Sequence, residues 1–275
     1  MSLAAEAAGS LFAAGVVAGI IGSGGGVTSL VSYPALLAVG IPPLPANIAN
    51  LVAGVAIGPG SALSSRRELV ETRTVLVRLL PITILGTVVG AGLLLVTPPG
   101  VFARVVPFLV AAGAMVLIIQ PALMKLPEGW IRHSPLLQLG LVGAVCVYGG
   151  YFGAGSGVML LAVILVLVDS RIAPANAIKN VLLGVTSLMA AAVFSATGPV
   201  LWAAVPPLAG GLLIGSALGP IIVRHLPPNL VRWMAATFGF ILAIYLWVRP
   251  PLISCIVEGW LVSAADSYSE VHNDV

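Results

Sequence analysis

The fold class this sequence predicts is an all-α polytopic membrane protein of two inverted repeats, each a glycine-broken helical hairpin plus three transmembrane helices. Three observations predict it. Of 275 residues, 59% are hydrophobic and only 8% charged. A soluble domain carries about 25% charged residues, so this chain lacks the polar surface to face water all round, and its solvent is lipid. The apolar runs are long and continuous, whereas a β-barrel shows short alternating segments. Last, a glycine-rich break occurs twice, as Gly22-Ser23-Gly24-Gly25-Gly26-Val27 and as Gly153-Ala154-Gly155-Ser156-Gly157-Val158. Each break lies between two apolar stretches and is followed by Pro-Ala-Asn, at 45–47 and 174–176.

In chain order, residues 3–39 form the first broken hairpin. Its second limb is only about half a bilayer crossing at roughly 1.5 Å per residue. Helices follow over 46–63, 75–96 and 102–123, separated by Arg66-Arg67-Glu68 and by the turn Thr97-Pro98-Pro99-Gly100. Residues 124–134 are a polar cytoplasmic linker. The pattern then restarts, with a broken hairpin over 136–168 and helices over 173–196, 201–223 and 230–248. Residues 250–275 form a polar tail. The repeats are therefore 1–123 and 135–249. Gly24 and Gly155 differ by 131 positions, Asn47 and Asn176 by 129, Gly54 and Gly184 by 130, and Pro98 and Pro227 by 129. So constant an offset is the signature of an internal duplication.

Three glycines in five residues weaken a helix by about 1 kcal/mol each relative to alanine, so the breaks are expected to be unwound. If each hairpin leaves and returns to the same side, each half crosses the membrane an odd number of times and the halves are inverted. Lys and Arg then divide nine to two in favour of the cytoplasm, against seven to four if each broken segment is a plain span. The bias favours inversion, which is an architecture of secondary transporters with the substrate near the midplane. The basic residues lie in short loops, and the net charge of +3 does not indicate nucleic-acid binding. Cys146 lies in an apolar run and Cys255 in the tail, so no disulfide framework is implied. The N-terminus has no basic region ahead of its apolar stretch and reads as a retained segment.

The stretches from Gly22 through Tyr33-Pro34 to Asn47-Ile48-Ala49-Asn50, and from Gly153 through Val158 to Pro174-Ala175-Asn176-Ala177-Ile178-Lys179-Asn180-Val181, resemble the TauE/SafE family of sulfite and organosulfur anion permeases. The run from Gly210 to Gly219 is similar to that family's penultimate helix. The resemblance covers nearly the whole chain before the tail. It implies a carrier of the bacterial inner membrane for a small sulfur-containing anion such as sulfite, sulfoacetate or thiosulfate. The chain departs where many members look like Ala-x-x-Thr-Ser and it has Ala46-Asn47-Ile48-Ala49-Asn50-Leu51. Substrate identity is therefore not carried over.

The residues that carry this chemistry start with the breaks. The N-terminus of a helix after a break presents unpaired N–H groups and a partial positive charge, a ready anion site. Gly22, Gly24, Gly25, Gly26, Gly153, Gly155 and Gly157 let the backbone approach an oxyanion, and Thr28, Ser29 and Ser156 add hydroxyl donors. The competing reading is close helix packing through small residues. Asn47, Asn50, Asn176 and Asn180 read either as donors to the anion or, for Asn47 and Asn176 after Pro-Ala, as caps. Lys179, the one basic residue well inside an apolar run, either neutralises the anion, titrates in a coupled transport cycle, or snorkels. Tyr33, Tyr148 and Tyr151 either line the path or pack. Glu6, at the start of the first hairpin limb, is the one aspartate or glutamate within a predicted span, and none falls deeper. No His/Cys/Asp/Glu group has metal spacing, and no catalytic constellation appears, so neither an enzyme nor a cofactor is expected. The expectation is transport by alternating access. A channel for water or a small solute is the alternative. A coupling ion and a homo-oligomer remain open.

Overall fold

The computed structural model describes residues 5–25, 27–59, 66–123, 134–197 and 200–223, with scattered helical positions from Trp233 to Val248. The described residues contain helices and turns and no strand. The helices are α1 (Ala5–Gly25), α2 (Thr28–Ala38), α3 (Pro43–Ala53) followed by a 3₁₀ turn (Gly54–Ala56), α4 (Arg66–Glu71), α5 (Arg73–Val96), α6 (Pro99–Leu123), α7 (Pro135–Tyr151), α8 (Ser156–Leu167), α9 (Ile172–Thr197) and α10 (Val205–Val223). Among the described residues, α1, α5, α6 and α9 contain stretches long and apolar enough to cross a bilayer, and α2, α7, α8 and α10 are shorter apolar helices. Large apolar side chains such as Leu85, Val89, Phe108, Ile244 and Trp247 are exposed, as lipid-facing residues are. The chain is a polytopic α-helical membrane protein.

Several expectations shift. The first break is not unwound at Gly22, Gly24 and Gly25, because α1 stays helical to Gly25. A helix in lipid keeps its main-chain bonds wherever it can, since no water replaces them. Gly22 serves close approach instead, because a Cβ there would stand 2.8 Å from the Thr28 Cα. The helix expected from Ala46 begins at Pro43, where a proline at the first position loses no bond. It tightens to 3₁₀ at Gly54, and the expected end of that helix, at 63, lies outside the described residues. The helix expected over 201–223 starts at Val205, after a turn at 202–204. Residues 124–133 of the linker and the tail 250–275 also lie outside the described residues.

The first helix of each half packs on a helix of the other half. Helix α1 lies along α10, and α7 lies along α5. An offset near 130 relates α1 to α7 and α5 to α10, so these are the same contact made twice. Both rest on glycine. Gly15 and Gly19 face Gly211 and Gly215, and a Cβ on Gly19 would meet the Ser216 amide nitrogen at 2.7 Å. On the other side a Cβ on Gly86 would meet the Gly143 carbonyl oxygen at 2.8 Å. Small residues let membrane helices approach closely where no hydrophobic effect drives them together. The core between these pairs is apolar, with Leu11, Leu30, Tyr33, Leu36, Ile48, Phe102 and Phe152 fully buried.

Gly19→Val is expected to destabilise the protein by about 1–3 kcal/mol through overpacking, read as a lower thermal unfolding midpoint in detergent. Gly9→Ala, where a Cβ meets nothing within 4 Å, is expected to leave the midpoint unchanged or slightly raised.

Candidate functional site

Two short helices, α2 and α8, begin at the two breaks. Each starts without a side-chain cap: Val27 precedes α2, and Gly155 precedes α8. At α7, by contrast, the Ser134 hydroxyl caps the Leu137 N–H. Both uncapped termini open on one cavity of about 60 Å³. A single water needs about 10–15 Å³ on this measure, so the space suits on the order of four waters or one small anion. Gly22, Thr28, Ser29, Asn50, Gly54 and Ile57 line it from the first half, and Gly149, Gly153, Ser156, Gly157, Asn180, Leu183, Gly184, Thr186 and Ser187 from the second. No charged side chain is among them.

The second break is unwound. Gly153 and Gly155 take φ of +80° and +84°, a region that side chains with a Cβ rarely enter. Its carbonyls find partners within the protein. Asn47 Nδ2 donates to the Tyr151 carbonyl at 2.9 Å, Ser156 Oγ to Gly153 at 2.7 Å, and Tyr148 Oη to Ala154 at 2.7 Å. The Gly155 carbonyl accepts from the Val158 and Met159 N–H groups. The Ser156 N–H is used on Gly153. That leaves the Gly157 N–H as the first-turn donor at the cavity wall, as helix geometry leaves those of Thr28 and Ser29 on α2. Those main-chain acceptors are satisfied inside the fold and the first-turn donors of the two short helices remain for a ligand, while the side-chain acceptors Asn47 Oδ1 and Asn176 Oδ1 are also left without a partner among the described residues. A site of this kind favours an anion.

Asn50 adds a side-chain donor. Its Oδ1 accepts from Ser32 Oγ at 2.6 Å, the shorter of that hydroxyl's two contacts, the other being to the Thr28 carbonyl at 3.1 Å, and in this arrangement Nδ2 is left over. The residue is buried at the cavity wall, and Nδ2 has no partner among the described residues. A buried amide N–H without a partner costs about 1–3 kcal/mol, a cost that a bound acceptor removes.

Of the residues singled out from sequence, Gly22, Thr28, Ser29, Asn50, Gly153, Ser156, Gly157 and Asn180 line the cavity. Gly24 and Gly25 end α1, and Gly26 lies outside the described residues. Ser156 contributes position but not a free hydroxyl proton, which is spent on Gly153. Asn47, Asn176, Lys179 and Gly155 do not line it. Asn47 sits inside α3 and does not cap it; it satisfies the cut end of α7 from the other half. Gly155 packs on Gly113, whose Cα would stand 2.8 Å from an added Cβ. Asn176 Oδ1 and Lys179 Nζ are buried with no hydrogen-bond partner among the described residues. The tyrosines pack: Tyr33 meets the Phe152 ring edge-on at 5.3 Å, and Tyr148 meets it at 6.2 Å. Thr186, Ser187, Gly149 and Gly184 were missed, although Asn180, Leu183, Gly184 and Ser187 follow the 3–4 spacing of one helix face.

Away from the cavity, Asp169 hydrogen-bonds Arg171 and pushes its guanidinium further up from its ordinary value, with Glu71 adding to the effect. This exposed group ties the corner before α9 to the end of α4. The described residues include no cluster of His, Cys, Asp or Glu able to hold a metal.

A family sequence model, described as sulfite exporter TauE/SafE, matches residues 7–246. A "Probable membrane transporter protein" of Haemophilus influenzae is 27% identical over 84% of this chain and 91% of its own length. "Probable membrane transporter protein ORF9" of a Sinorhizobium species is 29% identical over 87% of this chain and 92% of its own. "Probable membrane transporter protein YfcA" of Escherichia coli K12 is 26% identical over 82% and 84%. No solved structure matches the chain.

Gly155→Ala is expected to lower stability by about 2 kcal/mol or more, from left-handed backbone and contact with Gly113 together. Thermal unfolding in detergent reads this, and an unchanged midpoint contradicts it.

Proposed function

The chain belongs to the sulfite exporter TauE/SafE family and is a membrane transporter rather than an enzyme, and from that premise we propose that it moves a small sulfur-containing anion across a bacterial inner membrane by alternating access. Sulfite, thiosulfate and sulfoacetate are the candidate class. One observation carries the proposal. The uncapped starts of α2 and α8, from opposite halves of the chain, line one small cavity together with the unpartnered Nδ2 of Asn50. Neutral donors hold an anion without trapping it, since a ligand held by dipoles leaves more readily than one paired to a fixed cation.

The repeats, 1–123 and 135–249, are proposed to be inverted, so that the two short helices approach the cavity from opposite sides. The duplicated contact of α1 with α10 and of α7 with α5 supports this reading. Rocking of one half against the other around the cavity then exposes it alternately. The bacterial sources of the relatives support the inner membrane as its place. The cavity, lined by residues of both halves, is large enough for a compact oxyanion stripped of most of its water.

Proteoliposomes containing the purified chain test this. Thiosulfate, sulfite or sulfoacetate flux is expected to saturate with concentration. Asn50→Asp, which keeps an acceptor for Ser32 but turns the donor into a carboxylate oxygen, is expected to weaken the anion's apparent affinity by about 10–100-fold. Flux of water or neutral solutes that never saturates, with none of the three anions carried, contradicts the carrier reading and favours a channel.

A further inference from the structure

Lys179 is fully buried in α9, and its Nζ makes no hydrogen bond or ion pair among the described residues. It does not line the cavity, but helical spacing ties it to residues that do. Leu183 lies four positions on and Thr186 seven, both on the cavity wall, so Lys179 sits one turn nearer the start of α9 on the same side. Asn176, whose Oδ1 is also without a partner, precedes the cavity residue Asn180 by four. The orphaned groups therefore continue the cavity face by one turn toward the Asp169–Arg171 corner.

An ammonium enclosed in an apolar interior is strongly disfavoured unless an opposite charge or several acceptors stand near it. The elements packed on α9 are α3 with its 3₁₀ turn, α4, α5, α7 and α8. Helices α3 and α8 carry no ionisable side chain. Helix α7 carries Cys146, Tyr148 and Tyr151; Tyr148 Oη is engaged with main-chain carbonyls, Tyr151 Oη with Thr97, and Cys146 is buried. Helix α5 carries Arg73 and Arg78, both exposed. The carboxylates of α4 are Glu68 and Glu71, and Glu71 is exposed and pairs with Arg171. Among the described residues, then, no carboxylate neutralises Lys179. The missing counter-charge is what an anion in the adjacent cavity supplies.

We propose that Lys179 couples anion binding to proton binding: the anion in the cavity stabilises the ammonium form, and the ammonium form tightens the hold on the anion. This inference rests on the anion-carrier reading and adds the proton as the coupling ion. Linkage makes the effect reciprocal. At an effective dielectric of about 20, and taking a separation on the order of 8 Å, the ammonium and each unit of anion charge strengthen each other's binding about 30-fold. Anion binding takes up a proton, so affinity falls as pH rises. Transport of a monoanion with one proton on Lys179 moves no net charge. Lys179 acts here as a positioning charge, not as a ligand in direct contact.

Isothermal titration of thiosulfate into the purified full chain, at several pH values between about 6 and 9 and in buffers of differing ionisation enthalpy, counts protons taken up per anion. Thiosulfate keeps its charge across this range, so any proton taken up on binding is bound by the protein and not by the ligand. Wild type is expected to take up a fraction of one proton and to bind more weakly as pH rises. Lys179→Met is expected to bind thiosulfate, a dianion, at least about 30-fold more weakly, and Lys179→Arg to bind without pH dependence, both with no proton uptake. No uptake by wild type at any pH overturns the coupling even if neither variant folds, as does undiminished uptake in either variant. Binding without Lys179-dependent uptake leaves the carrier reading standing. Failure of wild type to bind thiosulfate, sulfite or sulfoacetate at all overturns both.

Discussion

A helix interrupted inside a membrane leaves main-chain donors and acceptors that neither water nor lipid can satisfy. How this protein disposes of them decides the character of its cavity. At the second break the acceptors are dealt with internally: Asn47 reaches across from the other half of the chain to the Tyr151 carbonyl, Tyr148 holds Ala154, and Ser156 holds Gly153. Donors are treated differently. Neither α2 nor α8 has a side-chain cap, and Asn50 spends its oxygen on Ser32 while its nitrogen is left over. The imbalance is electrostatic in effect without any charged group at the wall. The main-chain N–H groups of the two first turns and Asn50 Nδ2 suit a negatively charged ligand, and the hydroxyls of Thr28, Ser29, Thr186 and Ser187 can turn a proton toward it.

The rest of the fold serves to bring two interruptions, 131 residues apart in the chain, to one place. Glycine faces on α1 and α10, and on α5 and α7, permit backbone contact that bulkier residues forbid. Beside the second break, Tyr33, Phe102 and Tyr148 pack around the Phe152 ring and form an aromatic bed next to the turn. The 3₁₀ turn at Gly54–Ala56 carries the chain past the cavity just where Gly54 meets Ser187 of α9. A tightened turn of this kind within a helical run is a place where a helix bends at low cost.

Composition made the fold class legible, because a chain with 8% charged residues has no other way to satisfy its surface. The duplicated glycine motif also marks the two segments whose helix starts line the cavity. It misled in detail, because helix propensity is a local quantity. Gly22, Gly24 and Gly25 stay helical, since unwinding in lipid costs more than glycine's backbone entropy, whereas Gly153 and Gly155 sit at positive φ where the turn demands it. Asn47 could not be read correctly from its surroundings: the carbonyl it satisfies lies 104 residues away. The α9 side of the cavity was within reach, because Asn180, Leu183, Gly184 and Ser187 share one helix face. Local reading stopped at the asparagines and did not follow that face onward.

The central claim is positional: an oxyanion sits between the first turns of α2 and α8, beside Asn50. Selenite has the shape and charge of sulfite and scatters X-rays anomalously. Crystals of the full chain grown with saturating selenite therefore locate the anion directly. The account predicts an anomalous peak inside the cavity, within hydrogen-bond reach of Asn50 Nδ2 and of main-chain N–H groups from both short helices. An ordered selenite bound elsewhere in the membrane region, with this cavity empty, would contradict it.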